Sequence, residues 1–112
     1  MANRVQRPHE EAEFEFILAR ADVPVLAYFY GVWPKAAEAC KEMDALVGEV
    51  ADAHQGRLIV VRADIARCPG PVQRYGVTGA PSFVLIDRGE PMAPVSGPMS
   101  RKALGEFLDA HL

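Results

Sequence analysis

Cysteine, excess charge and long apolar runs are all scarce in this chain. It has two cysteines among 112 residues and a formal net charge of −3. Its lysines and arginines are scattered rather than gathered into the basic stripe that neutralises nucleic-acid phosphates, so we expect no nucleic-acid partner. No segment approaches the run of about 20 apolar residues that a membrane-spanning helix needs, so we expect no membrane association.

The start of the sequence also lacks the pattern of an export signal. Residues 1–9 contain charge, but no apolar run follows that could form the core of a signal peptide. We therefore expect a cytoplasmic protein. Two cysteines in an intracellular domain are more often reduced thiols than a structural disulfide.

Several ligand-binding patterns are missing as well. The sequence has no Cys/His cluster at the spacing of a zinc site. It has no glycine-rich phosphate loop followed by Lys-Ser or Lys-Thr, and no glycine-flanked serine of the kind that acts as a nucleophile. We expect neither a metal site nor a cofactor.

Hydrophobic residues make up 50% of the chain, which at this length is enough for a single sizeable core. We predict one domain over residues 1–112, with residues 1–9 as a flexible N-terminal segment. We expect a monomer or a weak dimer. The rest of the sequence alternates helical and strand patterns without a linker or an internal repeat.

The spacing of apolar residues predicts an α/β fold with a mixed sheet. The apolar run over residues 23–30 is typical of a strand buried on both faces, so it should be the central strand. Prolines at two positions of the last strand confine it to an edge, because proline cannot donate to a ladder hydrogen bond. The predicted helices cover residues 10–20, 34–54, 71–75 and a segment capped by Ser100; the predicted strands cover residues 23–30, 58–61, 82–87 and 90–95.

Four segments carry a resemblance to a known family, and they occur in the order of that family. They are a Cys-Lys pair in the long helix, a loop ending in Ala-Pro-Ser, a hairpin turn and a closing helix, at Cys40-Lys41, residues 76–82, Arg88-Gly89-Glu90 and residues 104–112. On these segments the chain resembles the thioredoxin family from about residue 14 to residue 112. The resemblance implies the thioredoxin fold, in which helices flank a central mixed β-sheet on both faces.

The chain departs from the family at three places. Thioredoxins carry two thiols three positions apart at the start of the long helix, whereas here Ala37 holds the position of the first, attacking cysteine. Three extra residues separate the central strand from Cys40. Tyr28 stands where many thioredoxins bury an aspartate that assists proton transfer. Together these departures indicate natural loss of the dithiol mechanism.

The remaining thiol of the motif, Cys40, is a candidate redox residue with a competing structural interpretation. It falls on the same helical stripe as Met43 and Val47, where a buried free cysteine acts as a small hydrophobe. The alternative is that the site opens enough for Cys40 to take part in monothiol exchange. We favour the first interpretation.

The second cysteine, Cys68, is the other candidate redox residue. It precedes the short helix and has Arg67 beside it and Arg62 and Arg74 nearby in sequence, so the helix end and the cationic side chains could lower its pKa. We expect it to be the more reactive thiol, the alternative being an unremarkable loop cysteine. Since both cysteines follow strands that should end at the same edge of the sheet, a disulfide between Cys40 and Cys68 is conceivable.

The resemblance also implies a binding surface. In the family the peptide bond corresponding to Ala80–Pro81 is cis, and the backbone beside it, here at Gly79 and Ala80, pairs with an extended segment of a client protein. The alternative is that this bond serves only the fold. Trp33 should lie at the mouth of the same groove, either as an exposed contact or as part of the core.

Two functions from different classes follow from these residues. We favour a thioredoxin-like protein of the redox-homeostasis or protein-folding network, which binds extended client segments without dithiol turnover. The alternative is an atypical thiol-disulfide oxidoreductase that uses Cys40, Cys68 or both.

Overall fold

The computed structural model describes residues 5–97 and 99–111. Every helix and strand that the sequence predicts is present there, and the bounds of the strand at residues 82–87 agree with the prediction. The elements are β1 (Val5–Gln6), α1 (Glu11–Arg20), β2 (Val25–Tyr30), α2 (Pro34–Ala53), β3 (Ile59–Asp64), α3 (Pro69–Arg74), β4 (Ser82–Asp87), β5 (Glu90–Ser96) and α4 (Arg101–His111).

The five strands form one mixed sheet in the order β1-β3-β2-β4-β5. β2 is the central strand, as its apolar sequence predicts, and runs parallel to β3 and antiparallel to β4. β5 lies at the edge beside β4, with Pro91 opposite Ile86 and Pro94 opposite Val84. The α/β thioredoxin fold expected from the sequence is confirmed.

Helices cover both faces of this sheet, so the core has two halves. α2 and α4 pack on one face, where the rings of Tyr28 and Phe83 stack with their centroids 5.3 Å apart. α1 and α3 pack on the other face, where the ring centroids of Phe14 and Phe29 lie 5.8 Å apart. Among the described helices, none combines the length and the apolar character that crossing a membrane requires.

Two helix ends follow the sequence signals. The hydroxyl of Ser100 accepts a hydrogen bond from the Ala103 N–H at 3.0 Å, which confirms the predicted N-cap of α4. Gly56 adopts a φ of 84° just beyond α2, a left-handed conformation that favours glycine and turns the chain toward β3.

The N-terminal segment differs from the prediction of flexibility over residues 1–9. Val5 and Gln6 form a strand that pairs with Val60 and Val61 of β3, and the Val5 side chain is buried. A run of two residues has no periodicity of its own, so the sequence alone did not reveal this strand. Residues 1–4 of the predicted segment lie outside the described residues.

The short strand β1 generates a stability prediction. Replacing Val5 by alanine should lower the free energy of unfolding by about 1–2 kcal/mol, because two methyl groups leave the core. Replacing the exposed Gln6 by alanine is the matched control and should change it by less than about 0.5 kcal/mol. Urea denaturation measures both values, and equal small effects would contradict the pairing of β1.

Candidate functional site

The candidate site lies at one end of the sheet, where β2 and β3 end and β4 begins. Phe29 in β2 is opposite Ser82 in β4, and the Ile65 N–H after β3 donates to the Tyr30 carbonyl at 3.0 Å. This register brings the segment that follows Tyr30 to the same end of the sheet as the loop that precedes Ser82. The Ala80–Pro81 peptide bond in that loop is cis.

Helix α2 starts earlier relative to Ala37 than the family motif requires. Trp33 is the N-cap and Pro34 the first helical residue, a position where the missing N–H of proline costs nothing. The Ala37 N–H already donates to the Trp33 carbonyl at 2.8 Å. Ala37 is therefore one turn inside the helix, and its exposed side chain lies away from the free N–H groups that would stabilise a thiolate.

Two apolar side chains project into solvent just before this helix. The side chain of Trp33 is 47% exposed and that of Val32 is 69% exposed. Of the two interpretations of Trp33 that the sequence left open, exposure is the correct one. The six-membered ring of its indole lies against Gly31, which is itself buried.

The loop before β4 is held by its own hydrogen bonds on either side of Ala80. The Ser82 hydroxyl donates to the Gly79 carbonyl at 2.5 Å, and the Gly97 N–H donates to the Pro81 carbonyl at 2.8 Å. Gly79 and Ala80 are half-buried and Pro81 is buried. Within the described ranges, neither the N–H nor the carbonyl of Ala80 bonds to another protein group.

Cys40 lies on the buried side of α2 and is 3% exposed. It belongs to the same core cluster as Met43 and Val47, which confirms the predicted apolar stripe. Its backbone carbonyl accepts a hydrogen bond from the Tyr28 hydroxyl at 3.0 Å. This part of α2 is tied to the central strand directly beneath the cysteine.

Tyr28 organises a polar cluster that sequence reasoning did not foresee. Its hydroxyl also lies 3.0 Å from Asp44 Oδ1, to which it can donate. The Arg62 guanidinium donates to both oxygens of Asp44, at 2.9 and 3.2 Å, and lies 3.7 Å from the centroid of the Tyr30 ring. The arginine that interrupts the apolar run of β3 is the one signal in the sequence that could have pointed to this cluster.

This chain has a phenol at position 28, where many thioredoxins bury an aspartate, so the carboxylate of the cluster comes from Asp44 instead. Burial, followed by the hydrogen bond to the Cys40 carbonyl, raises the pKa of Tyr28 far above its usual range. Tyr28 therefore stays a neutral phenol, while Asp44 is engaged by Arg62. The hydrogen bonds of the Tyr28 hydroxyl hold α2 against the sheet.

Cys68 occupies the N-cap of α3 and has no exposed surface. The expectation of a lowered pKa is wrong, because burial and then the carboxylates of Glu11 and Asp64 raise the pKa of Cys68 to about 11. The neighbouring arginines form ion pairs with acidic side chains. Arg67 pairs with Asp64 at 3.9 Å and Arg74 with Glu15 at 2.5 Å. Their charges are therefore offset near the thiol.

The conceivable disulfide between Cys40 and Cys68 does not form, and both cysteines are free. Cys40 belongs to the core half under α2 and α4, whereas Cys68 belongs to the half under α1 and α3. The central sheet stands between these halves. The two cysteines follow neighbouring parallel strands, but the connecting helices pack on opposite faces.

A cleft of about 280 Å³ opens beside Cys40, between the end of β2 and the first turns of α2. A larger cavity, of about 560 Å³, lies at the other end of the sheet beside His54 and Asp87, far from the features described above. Among the described residues, no three His, Cys, Asp or Glu side chains are grouped so that they could hold a metal ion. The cleft is lined by Tyr30, Gly31, Val32, Ala37, Cys40, Lys41, Asp44 and Arg62.

Comparison with known proteins agrees with this architecture. The chain is 33% identical over 102 residues to a thioredoxin of Pseudomonas aeruginosa, which covers 91% of the chain and 92% of that protein. It is 24% identical over 102 residues to a thioredoxin of Haemophilus influenzae, with the same two coverages of 91% and 92%. It is 30% identical over 99 residues to a thioredoxin of Acidithiobacillus ferridurans, which covers 88% of the chain and 89% of that protein.

The family model described as Thioredoxin matches residues 5–110, which is nearly the whole chain. This match includes the strand β1, which lies in the N-terminal segment predicted to be flexible. The fold, the relatives and the family model agree, and the chain belongs to the thioredoxin family.

Proposed function

We propose that this thioredoxin-like protein binds extended segments of client proteins without turning over disulfides, as part of the redox-homeostasis or protein-folding network of the cytoplasm. The observation that carries the proposal is the burial of both thiols, since Cys40 is 3% exposed and Cys68 0%. The exposed position of the family's attacking thiol is held by Ala37. Two free thiols also suit a reducing compartment.

Disulfide turnover requires groups that this site does not bring together. One thiolate must attack the client disulfide, and a second thiol must resolve the mixed disulfide that results. Cys40 could at most supply one of these, and Cys68 lies on the other face of the sheet. Tyr28 stays protonated because burial raises its pKa, and the carboxylate beside it, Asp44, is paired with Arg62.

Two features of the surface at this end of the sheet support the binding half of the proposal. The backbone N–H and carbonyl of Ala80 have no partner among the described residues, and exposed Trp33 adds an apolar contact. Main-chain hydrogen bonds provide affinity with little dependence on the client sequence. We therefore expect weak binding to many extended segments rather than tight binding to one.

The first prediction from this proposal is that the purified protein fails to reduce insulin. In an assay coupled to a thioredoxin reductase system, its rate should equal the background rate, while an ordinary thioredoxin serves as positive control. Replacing Ala37 by cysteine should not restore turnover, because the Ala37 N–H is already bonded within the helix. Turnover by the wild-type protein at the rate of the control would instead favour the atypical oxidoreductase.

The second prediction concerns the two thiols. Under native conditions at neutral pH, both should react with iodoacetamide at least about 100-fold more slowly than in denaturant, since reaction requires local opening. Cys40 lines an open cleft, whereas Cys68 is fully buried with a pKa of about 11, so Cys40 should be labelled first. Mass mapping of the labelled peptides shows which cysteine reacts first. The expected order, Cys40 before Cys68, is the reverse of the one expected from the sequence. Rapid labelling of Cys68 in the native protein would rule out its buried position.

The third prediction tests the binding surface with a permanently unfolded probe, reduced and carboxymethylated α-lactalbumin. Replacing Trp33 by alanine should weaken its binding by roughly 1–2 kcal/mol, because tryptophans often carry a large share of an interface. Phe16→Ala is the matched control, since this aromatic side chain is 62% exposed on α1. Surface plasmon resonance measures both affinities. Equal losses in the two variants would place binding elsewhere on the protein.

A further inference from the structure

The residue before the exposed Val32-Trp33 pair is a glycine with an unusual surrounding. A Cβ atom placed on Gly31 would lie 2.5 Å from Trp33 Cζ3 and 2.6 Å from Cη2, closer than real side chains approach. Gly31 is also buried. The indole of Trp33 therefore folds back against the backbone at the end of β2 instead of extending freely from the start of α2.

The requirement for glycine here is one of space rather than of backbone conformation. Gly31 is absent from the glycines with a positive φ, which are Gly56, Gly76, Gly89 and Gly97. An alanine could therefore adopt the same backbone without strain. The added methyl group would, however, occupy the space of the indole, so the far edge of the Trp33 ring would have to move.

We propose that Gly31 is a positioning residue for client binding. By leaving room for the Trp33 indole, it fixes the ring as a preformed apolar platform. This inference rests on the proposed function. A side chain that is already held in place loses less conformational freedom when a partner binds, so more of the contact appears as affinity. The platform, with Val32 beside it at 69% exposure, fits an apolar side chain of an extended client segment.

The proposal separates Gly31 from the other glycines of the chain. A Cβ atom added to Gly48, in the middle of α2, would have nothing within 4 Å, so alanine there meets no neighbour. Gly48→Ala is therefore the matched control for Gly31→Ala. Both variants add the same methyl group, but only the one at position 31 displaces the indole.

Trp33 is the sole tryptophan, so its fluorescence reports the indole directly. Gly31→Ala should shift the emission maximum to the red and raise the acrylamide quenching constant, because the displaced ring gains solvent contact. Gly48→Ala should leave both unchanged. These readouts do not depend on any client, and circular dichroism checks that both variants stay folded.

Binding of carboxymethylated α-lactalbumin then tests whether the position of the indole affects client binding. Gly31→Ala should weaken it between about two- and tenfold, the cost of ordering one side chain on binding. In a Trp33→Leu background the same substitution should have no effect, because leucine lacks the ring that meets position 31. Such a double-mutant cycle assigns the loss to the contact between the two residues.

The outcomes distinguish this inference from the proposed function. Unchanged fluorescence and unchanged binding in Gly31→Ala, with binding lost in Trp33→Ala, would overturn the role of Gly31 alone. A red-shifted emission maximum with unchanged binding would likewise overturn the positioning role of Gly31. Absence of α-lactalbumin binding by the wild-type protein would overturn the proposed function, and with it the positioning role.

Discussion

The end of the sheet that bears the candidate site depends on one buried hydroxyl group. The Tyr28 side chain has no exposed surface and its ring stacks on Phe83, so its hydroxyl must find partners inside the protein. The partners are the Cys40 carbonyl and the Asp44 carboxylate, both on α2. An unsatisfied buried hydroxyl would cost about 1–3 kcal/mol, so this contact fixes α2 at a defined position on the sheet. Trp33 and the first turn of the helix are placed as a result.

The same contact shows how the fold accommodates a tyrosine at position 28. A buried carboxylate at position 28 would need charge compensation and could exchange protons, whereas a phenol with a raised pKa needs only hydrogen bonds. The negative charge of this cluster lies on Asp44 instead, and the guanidinium of Arg62 donates hydrogen bonds to both of its carboxylate oxygens. The polar groups beneath Cys40 therefore contribute to packing and orientation, and the cysteine itself is one more apolar contact.

The architecture was largely predictable because its elements have strong local signals. β4 is an apolar run bounded by Pro81 and by the Arg88-Gly89 turn, so both of its ends could be read from the sequence. β1 has no such signal, since two residues acquire their strand conformation only by pairing with β3. How these elements are arranged in one sheet was predicted from the resemblance to the thioredoxin family.

The candidate site was less predictable, because its properties come from residues distant in sequence. The arginines near Cys68 suggested an acidic thiol, but burial and then the carboxylates of Glu11 and Asp64 raise its pKa instead. The position of Trp33 could not be decided from its own neighbourhood either, since exposure depends on how the chain turns after Tyr30. Contacts of this kind are set by the folded chain and leave no pattern in a local window.

The two outer strands have a consequence for how the protein behaves at high concentration. An exposed sheet edge is a template on which other chains can assemble, and long flat edges promote aggregation. Here β1 presents only two residues, and β5 carries two prolines and an irregular register between Leu85 and Ile86. Within residues 5–97 and 99–111, neither border offers a long, regular row of ladder groups to a neighbouring molecule. The described borders of the sheet therefore disfavour edge-to-edge pairing between copies of this chain.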